Sequence, residues 1–519
     1  MDAHATKTDF PDLLSELKWR GLLHQATDEA ALAEHFATGT RKVYCGFDPT
    51  ADSLTIGNLV PMMLLKHVQR HGHTPIVLMG GATGRIGDPS GKSAERTLMT
   101  DEQVDANIAK QREIFERVLG ADATIVNNLD WWKDKSFLWV LREVGKHFSV
   151  NVMIQKDSVR DRLHNRDQGI SFTEFSYQIL QGYDFLHLAR EEGVTVQCGG
   201  SDQWGNIVAG TDLIRRSVSL EATIHWGVAT FAGKMFSLLE FKGEYYGAHS
   251  SPMAEAEHFL RTAPESIPSA HIDELLIALR SGDVLARLRD IHDRHMAETD
   301  RLRDISEDGA FAFTAPLVTK ADGGKFGKSE AGAVWLSGPR TTAYAFHQFW
   351  LNTADADVER YLKMFTLLTR NEIDALLAEH AGAPEKRAAQ RALADAATAI
   401  VHGPDAVERA NAAAKALFSG EVAGLDFDTL TEVFSAAPSS EHARSILDGE
   451  GWSILDALAE TGLASSKSQA KEFAKGGGVV INGETKAALD TRLTREHLLH
   501  GEVILLRRGK KNWHVCRFG

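Results

Sequence analysis

Apolar and polar positions alternate along this chain in two different rhythms. Through residues 1–335, short apolar runs are separated by stretches of helical period. "RKVYCGF", "TPIVLMGGATG", "ATIVNNL", "VTVQCGGSDQ" and "FTAPLVT" are read as strands that stop at Gly, Asn or Asp. Between them, "GNLVPMMLLKHVQRHG" and "DEQVDANIAKQREIFERVLG" carry apolar residues at helical spacing. The second has Asp101 near its start and Gly120 at its end, as helix caps require. Such alternation predicts an α/β fold, a parallel sheet with helices on both faces. Ligands in such sheets bind beyond the carboxyl ends of the strands. From about 337 to 440 the rhythm becomes purely helical: "APEKRAAQRALADAATAIVHG" and "DAVERANAAAKALFSG" are Ala-rich and each closes on Gly. "SAAPSSEHARS" is read as a linker. The last segment, 441–519, has two predicted helices ("SILDALAETG", "SKSQAKEFAKGG") leading into short strands ("GVVING", "GEVILLRRGKKNWHVCRF").

Composition narrows the class. With 519 residues, 43% of them hydrophobic and 25% charged, the chain is ordinary globular protein of several domains. Three cysteines, Cys45, Cys198 and Cys516, cannot build a disulfide framework and lack metal-ligand spacing. The start, "MDAHATKTDFPDLL", lacks the basic and apolar regions of a secretion leader. No stretch of about 18 apolar residues occurs, so no membrane association is expected. A reduced, cytoplasmic setting is the default. A net charge of −14 argues against indiscriminate nucleic-acid binding. Residues 465–519, however, hold eleven Lys/Arg against five Asp/Glu, a basic module on an acidic body.

Five clusters carry candidate chemistry. In "CGFDPTADSLTIGNL" a strand ends at Asp48, Pro49 and Thr50 turn the chain, and a helix starts near Gly57. A helix start offers free N–H groups to phosphate, and Gly57 lets a nucleotide come close. "GGATGRIGDPSGKSAERT" is Gly-rich, but Ile86 stands where a phosphate-binding P-loop needs its first glycine, so that motif is rejected. The cluster still brings Asp88, Lys92 and Arg96 to a cleft wall. In "SYQILQGYDFLHL", Tyr177, Gln181 and Asp184 stand at i, i+4 and i+7 on one helix face. A buried carboxylate there needs a partner such as a phenol hydroxyl or an ammonium. "QCGGSDQWGN" packs Gln197, Asp202 and Gln203 into a strand-end loop. "ADGGKFGKSE" sets Lys325, Lys328 and Ser329 among glycines, a mobile loop able to meet negative charge as it builds.

In this order, "YCGFDPTADSL", "GDPSGKSAERT", "EFSYQILQGYDF", "GGSDQWGN", "KADGGKFGKSE", "VWL" and "LLRRGKKN" closely resemble the bacterial tyrosyl-tRNA synthetase family of class I aminoacyl-tRNA synthetases. The resemblance runs through 40–216 and 310–519. It implies a Rossmann-like catalytic domain over 1–336, an α-helical anticodon-side domain over 337–440 and a small α+β S-four type RNA-binding domain over 441–519. It also implies activation of L-tyrosine with ATP and Mg²⁺, transfer to tRNA(Tyr), and a homodimer. "TIGN" takes the HIGH position and "KFGKS" the KMSKS position. Tyr44 and Asp184 match the pair that grips the phenol hydroxyl; Asp88, Tyr177 and Gln181 match the ammonium side. Gln197, Asp202 and Gln203 match groups around the substrate and the adenylate ribose, and Asp48 a main-chain and nucleotide contact. Lys92 matches a residue that stabilises the reacting phosphates or the acceptor end. Lys467, Lys471, Arg507, Arg508, Lys510 and Lys511 match phosphate contacts to RNA. "WWKDKSFLWVLREVGKHFSV" offers an apolar dimer surface.

Two departures stand out. Thr55 and Asn58 replace the family's histidines; Asn58 and Thr55 can still donate, and Thr50 can share the work. Roughly ninety residues, about 217–309, stand where the family has a short connection. Their stretch "HWGVATFAGKMFSLLEFKGEYYG" is read as strands, and "HIDELLIALRSGDVLARLRDIHDRHMAETDRLRD" as helix. His292 and His295 in that helix are read as a surface pair, and no protein-bound metal is expected. Two other readings remain open: tryptophan as the substrate, and a non-catalytic RNA-binding or regulatory descendant of a synthetase.

Overall fold

The computed structural model describes residues 8–88, 99–156, 159–160, 163, 169–245, 256, 260, 267–307, 309–329, 332–419, 422–435, 437–483, 485–509 and 512–519. They form two compact units: 1–53 with 57–319, and 54–56 with 320–519.

The first unit is built on a six-stranded sheet. Its strands are β1 (Gln25–Ala26), β2 (Lys42–Phe47), β3 (Thr74–Met79), β4 (Thr124–Asn127), β5 (Val194–Gly200) and β6 (Phe311–Ala315). The order across the sheet is β1-β6-β5-β2-β3-β4. All neighbours are parallel except the two-residue β1, which edges β6 antiparallel. Val43, Tyr44, Cys45 and Phe47 on β2 are all buried, the continuous burial of a strand covered on both faces. The chain moves outward from β2 through β3 to β4, then returns to place β5 on the other side of β2. That reversal opens a crevice at the carboxyl ends of β2 and β5.

Local sequence explains the flanking helices. The helix Asp101–Leu119 is capped by a reciprocal box between Thr100 and Gln103, one residue ahead of the expected Asp101, and ends at Gly120. Helix α1 (Leu59–Arg70) follows a single tight turn at Ile56–Asn58. Helix α2 (Phe172–Glu192) is capped by Ser171 and closes on Gly193 in the left-handed region.

The described residues of the inserted region form helices joined by short turns, with no strand among them. α3 (Trp204–Tyr245) runs unbroken for 42 residues, about 63 Å at the rise of an α-helix. It replaces the expected aromatic strands. Val228, Phe231, Ala232 and Met235 fall at i, i+3, i+4 and i+7, a helical rather than an alternating pattern. They pack with Leu275 and Leu279 of α4 (Ser269–Leu279) and Leu288 and Ile291 of α5 (Val284–Glu307) in a small core of their own. Nearer the sheet, Leu213, Ile214, Val218 and Ala222 of α3 and Leu302 of α5 join the core that holds Tyr44 and Phe185. The two long helices thus run from the sheet's core into a separate helical arm.

The second unit holds the lysine-loop hairpin, Lys328–Ser329 with Gly332–Ala333, the helices between Ala343 and Val433, and a five-stranded sheet. "SSEH" is part of that sheet rather than of a linker: Ser439–His442 pairs parallel to the last strand, Asn512–Phe518. Ala416, Val422, Leu430 and Phe434 share a core with Val503, Leu505 and Val515, so the end of the helical segment and the C-terminal sheet bury one surface.

Candidate active site

The crevice is lined from the ends of four parallel strands. Tyr44 on β2 is in register with Gln197 on β5, so both side chains leave the sheet on one face. Helix α2 covers that face with Tyr177, Gln181 and Asp184. The rings of Tyr44 and Phe185 lie 5.3 Å apart.

Asp184 is the most constrained group. It is 2% exposed and accepts from Trp131 Nε1 at 2.9 Å, Trp132 Nε1 at 2.8 Å and Asn128 Nδ2 at 2.9 Å. Burial nonetheless outweighs these three donors and pushes its pKa up to about 7. From Asn128 the network continues through Thr83 Oγ1, 3.1 Å away, to Asp48 Oδ1, 2.8 Å further on. Asp48 Oδ2 accepts from Tyr177 Oη at 2.9 Å. One chain of hydrogen bonds therefore joins Tyr177, Asp48, Thr83, Asn128 and Asp184. Gly80 is required beside it, because a Cβ there would run into Asp48 Oδ1 and Thr83 Oγ1.

Among the described residues, Tyr44 Oη, Gln181 Oε1 and Gln197 Oε1 are buried here without a protein partner. Burial and nearby Asp184 push the Tyr44 phenol well above its ordinary range. Burial, with Asp48 and Asp88 close by, does the same to Tyr177. Native folds leave few such atoms unpaired, so the group describes a recess for a polar ligand. At its edge, Gln203 Nε2 donates to Asp88 Oδ2 at 2.6 Å and approaches Asp202 Oδ2 at 3.4 Å. Burial and Asp88 raise the pKa of Asp202.

Thr83, Asn128, Trp131 and Trp132 were not among the residues singled out from sequence. A signal existed in "NNLDWW": a buried indole N–H needs an acceptor, and two adjacent tryptophans after a strand end imply one nearby. Their inward position also corrects the reading of "WWKDKSFLWVLREVGKHFSV" as one apolar surface. Its exposed large apolar side chains come after the two tryptophans, with Phe137 at 61%, Leu138 at 76% and Leu141 at 46%.

Thr50 is exposed, and its N–H donates to Asp48 O at 2.8 Å. Gly57 is exposed, and Asn58 stands at the start of α1 without capping it. In the second unit, Thr55 bridges Trp335, Ile56 N donates to Val334 O and Leu336 N to Leu54 O. Gly327 lies against Ile56, where a Cβ would come within 2.6 Å of its Cγ2 at a backbone φ of +80°; only glycine fits. The lysine loop is thus seated on the residue after Thr55. Lys325 is exposed; Lys328 and Ser329 form the first strand of the hairpin. Lys92, Lys510 and Lys511 lie outside the described residues.

In the C-terminal sheet, Lys467 pairs with Asp456 Oδ1 at 2.5 Å, and Lys471 is exposed. Arg507 lies over the Trp513 ring at 4.9 Å, and Arg508 donates to Leu463 O at 2.7 Å while covering Phe473. Among the described residues no helix is long and apolar enough to cross a membrane.

The chain matches the family described as tRNA synthetases class I (W and Y) over residues 37–237 and 296–419. Residues 429–516 match the tyrosine--tRNA ligase SYY-like C-terminal domain. The family match is interrupted at 238–295, a narrower break than the one read from sequence. A tyrosine--tRNA ligase of Bacillus caldotenax is 42% identical over 98% of this chain and 100% of its own length. One of Dechloromonas aromatica is 40% identical over 96% and 97%. Among solved structures, a C-terminally truncated mitochondrial tyrosyl-tRNA synthetase of Coccidioides posadasii aligns with a TM-score of 0.54 and 30% identity, over 77% of this chain and 91% of that one. The corresponding protein of Aspergillus nidulans gives 0.56 and 27%, over 79% and 95%.

Proposed function

The chain belongs to the class I tRNA synthetase family of tryptophan and tyrosine enzymes and has the function of a tyrosine–tRNA ligase, and from that premise we propose how its residues divide the work. L-tyrosine enters the recess between β2, β5 and α2. Its phenol hydroxyl donates to Asp184 and accepts from Tyr44 Oη. The observation that carries this is the buried, unpartnered Tyr44 hydroxyl beside a carboxylate already held in place by three donors. An indole N–H could donate to Asp184, as those of Trp131 and Trp132 do, but it cannot accept from Tyr44 Oη.

Asp88, Tyr177 and Gln181 take the ammonium side, with Tyr177 oriented through Asp48. Gln197, Asp202 and Gln203 hold the substrate and the adenylate ribose, and Asp48 and Gly57 admit the nucleotide. A carboxylate oxygen of tyrosine attacks the α-phosphorus of MgATP. The bond from that phosphorus to the bridging oxygen breaks, and pyrophosphate leaves with its magnesium. The nucleophile belongs to the substrate, so the protein supplies position and charge rather than a base. Thr50, Thr55 and Asn58 donate to the phosphates, while Lys92, Lys325, Lys328 and Ser329 meet the charge that builds on them. A hydroxyl at the 3′ end of tRNA(Tyr) then attacks the tyrosyl carbonyl, and AMP leaves.

Lys467, Lys471, Arg507, Arg508, Lys510 and Lys511 are proposed as the RNA side of the C-terminal sheet. Exposed Phe137, Leu138 and Leu141 support a homodimer through that surface. The setting is that of translation, the cytoplasm. ATP–pyrophosphate exchange tests the assignment. It is expected to depend on tyrosine and to be insensitive to tryptophan. Complete absence of tyrosine-dependent exchange would remove it and restore the non-catalytic reading.

A further inference from the structure

The helical arm gathers a second polar cluster, part-buried around a buried His295, for which tyrosine activation has no use. His225 stands on α3, His271 and Glu274 on α4, and His295 on α5. The sequence reading of His292 and His295 as a surface pair fails here, because α5 packs against α3. His292 Nδ1 lies 2.8 Å from Ala229 O, and His295 is 2% exposed.

His271 and Glu274 are three residues apart and share one face of α4. Arg294 Nη2 donates to Glu274 Oε1 at 2.7 Å. That leaves Glu274 Oε2 3.4 Å from His295 Nε2 and 3.8 Å from His271 Nδ1. The potential ligand atoms of His271, Glu274 and His295 all lie within 4.8 Å of one another. On its far side, His295 Nδ1 is 2.7 Å from His225 Nδ1. When His295 donates its Nδ1–H there, its Nε2 lone pair faces the other two groups, the arrangement in which an imidazole binds a metal.

We propose that His271 Nδ1, Glu274 Oε2 and His295 Nε2 bind one divalent transition-metal ion, zinc by their chemistry, that ties α4 to α5, with His225 and Arg294 orienting the ligands. Two imidazoles and a carboxylate are borderline donors suited to zinc. Donor atoms around a tetrahedral zinc ion lie about 3.3 Å apart, so the measured separations close by small side-chain shifts. Three protein ligands leave a tetrahedral ion one further position. Such a tie would add to the apolar core that α3, α4 and α5 already share. His271 and Glu274 lie in 238–295, where the family match is interrupted, so the site belongs to the arm and not to the shared fold.

The test uses the full-length protein, stripped with chelator and titrated with zinc alone. We expect one ion per chain, a rise in the arm's melting temperature, and the visible absorption of tetrahedral cobalt when Co²⁺ replaces zinc. His271→Gln and Glu274→Gln should each weaken binding at least tenfold, with pyrophosphate exchange unchanged. Hydrogen exchange on the wild type adds a readout free of folding effects in variants: zinc should slow exchange in 269–279 and 284–307. Fewer than one ion per chain, equal affinity in the variants, or zinc protection elsewhere in the chain would overturn the proposal.

Discussion

The tyrosine recess and the helical arm both bury polar side chains, yet they settle them in opposite ways. In the recess the acid is fixed but not filled: Asp184 accepts two indoles on one oxygen and an amide on the other, which leaves room for one more donor, and its neighbours Tyr44 and Gln197 have unpaired atoms. The arm instead gathers groups that face one another, two imidazoles about one carboxylate with a third imidazole behind His295. A recess that fixes its acceptor and leaves its donor waiting selects a ligand by what it can hydrogen-bond. A cluster whose lone pairs converge selects an ion. The difference teaches that buried polarity becomes readable once one asks which atoms are already paired.

The sharpest way to break this contrast is Asp184→Asn. The amide would turn an N–H₂ group toward the two indole donors or toward the Asn128 amide, and would weaken or remove the acceptor for the phenol. Tyrosine-dependent kcat/KM in pyrophosphate exchange should fall by roughly 10²–10³, and zinc binding by the arm should not change. A smaller effect is expected of Tyr44→Phe, which removes one neutral hydrogen bond. A loss of about tenfold in kcat/KM, carried mostly by KM, is expected from steady-state exchange, with phenylalanine gaining relative to tyrosine.

Titration sharpens the same point. The folded pKa of Asp184, about 7, lies above its ordinary value of 3.8. Between those values the folded chain holds a proton that the unfolded chain has lost. The group's contribution to stability is therefore full below about pH 4 and declines until pH passes 7. Binding runs the other way, because the phenol needs an ionised acceptor. The KM for tyrosine should rise by up to about tenfold from pH 8 to pH 6, following the ionised fraction of a pKa near 7. Loss of that pH dependence in Asp184→Asn would tie it to this residue. Thr55→His is expected to matter least. Its backbone is fixed by pairing with Trp335, and Asn58 keeps an amide nearby in sequence, so exchange rates should rise only a few-fold in single-turnover assays.

Much of the recess was legible in the chain because its residues come in short runs at strand ends. Asp48 sits just past β2, Asp202 and Gln203 just past β5, and Gln197 within β5 three residues before its end. Tyr177, Gln181 and Asp184 follow a helical period that α2 obeys. Asn128 and Trp131 were illegible as site residues because nothing local shows which acid a buried indole will meet. The arm was harder still. Its aromatic residues suggest strands, although Val228, Ala232 and Met235 carry the period of a helix. His225, His271 and His295 come together only by tertiary packing of three helices. Pairing histidines by sequence distance therefore put His295 with His292, its neighbour on the chain and not its partner in space. "SSEH" joined the C-terminal sheet for a similar reason: polar residues at an edge strand look like a linker until a partner strand is known.

The central claim is that the phenol of tyrosine completes the hydrogen bonds of Tyr44 and Asp184. A crystal structure of the protein with L-tyrosine tests it most directly. The account predicts the substrate hydroxyl about 2.6–2.9 Å from both the Tyr44 hydroxyl and an Asp184 oxygen, with the Trp131, Trp132 and Asn128 donors still in place. Tyrosine bound with its ring elsewhere, or with its hydroxyl beyond hydrogen-bond reach of both residues, would contradict it.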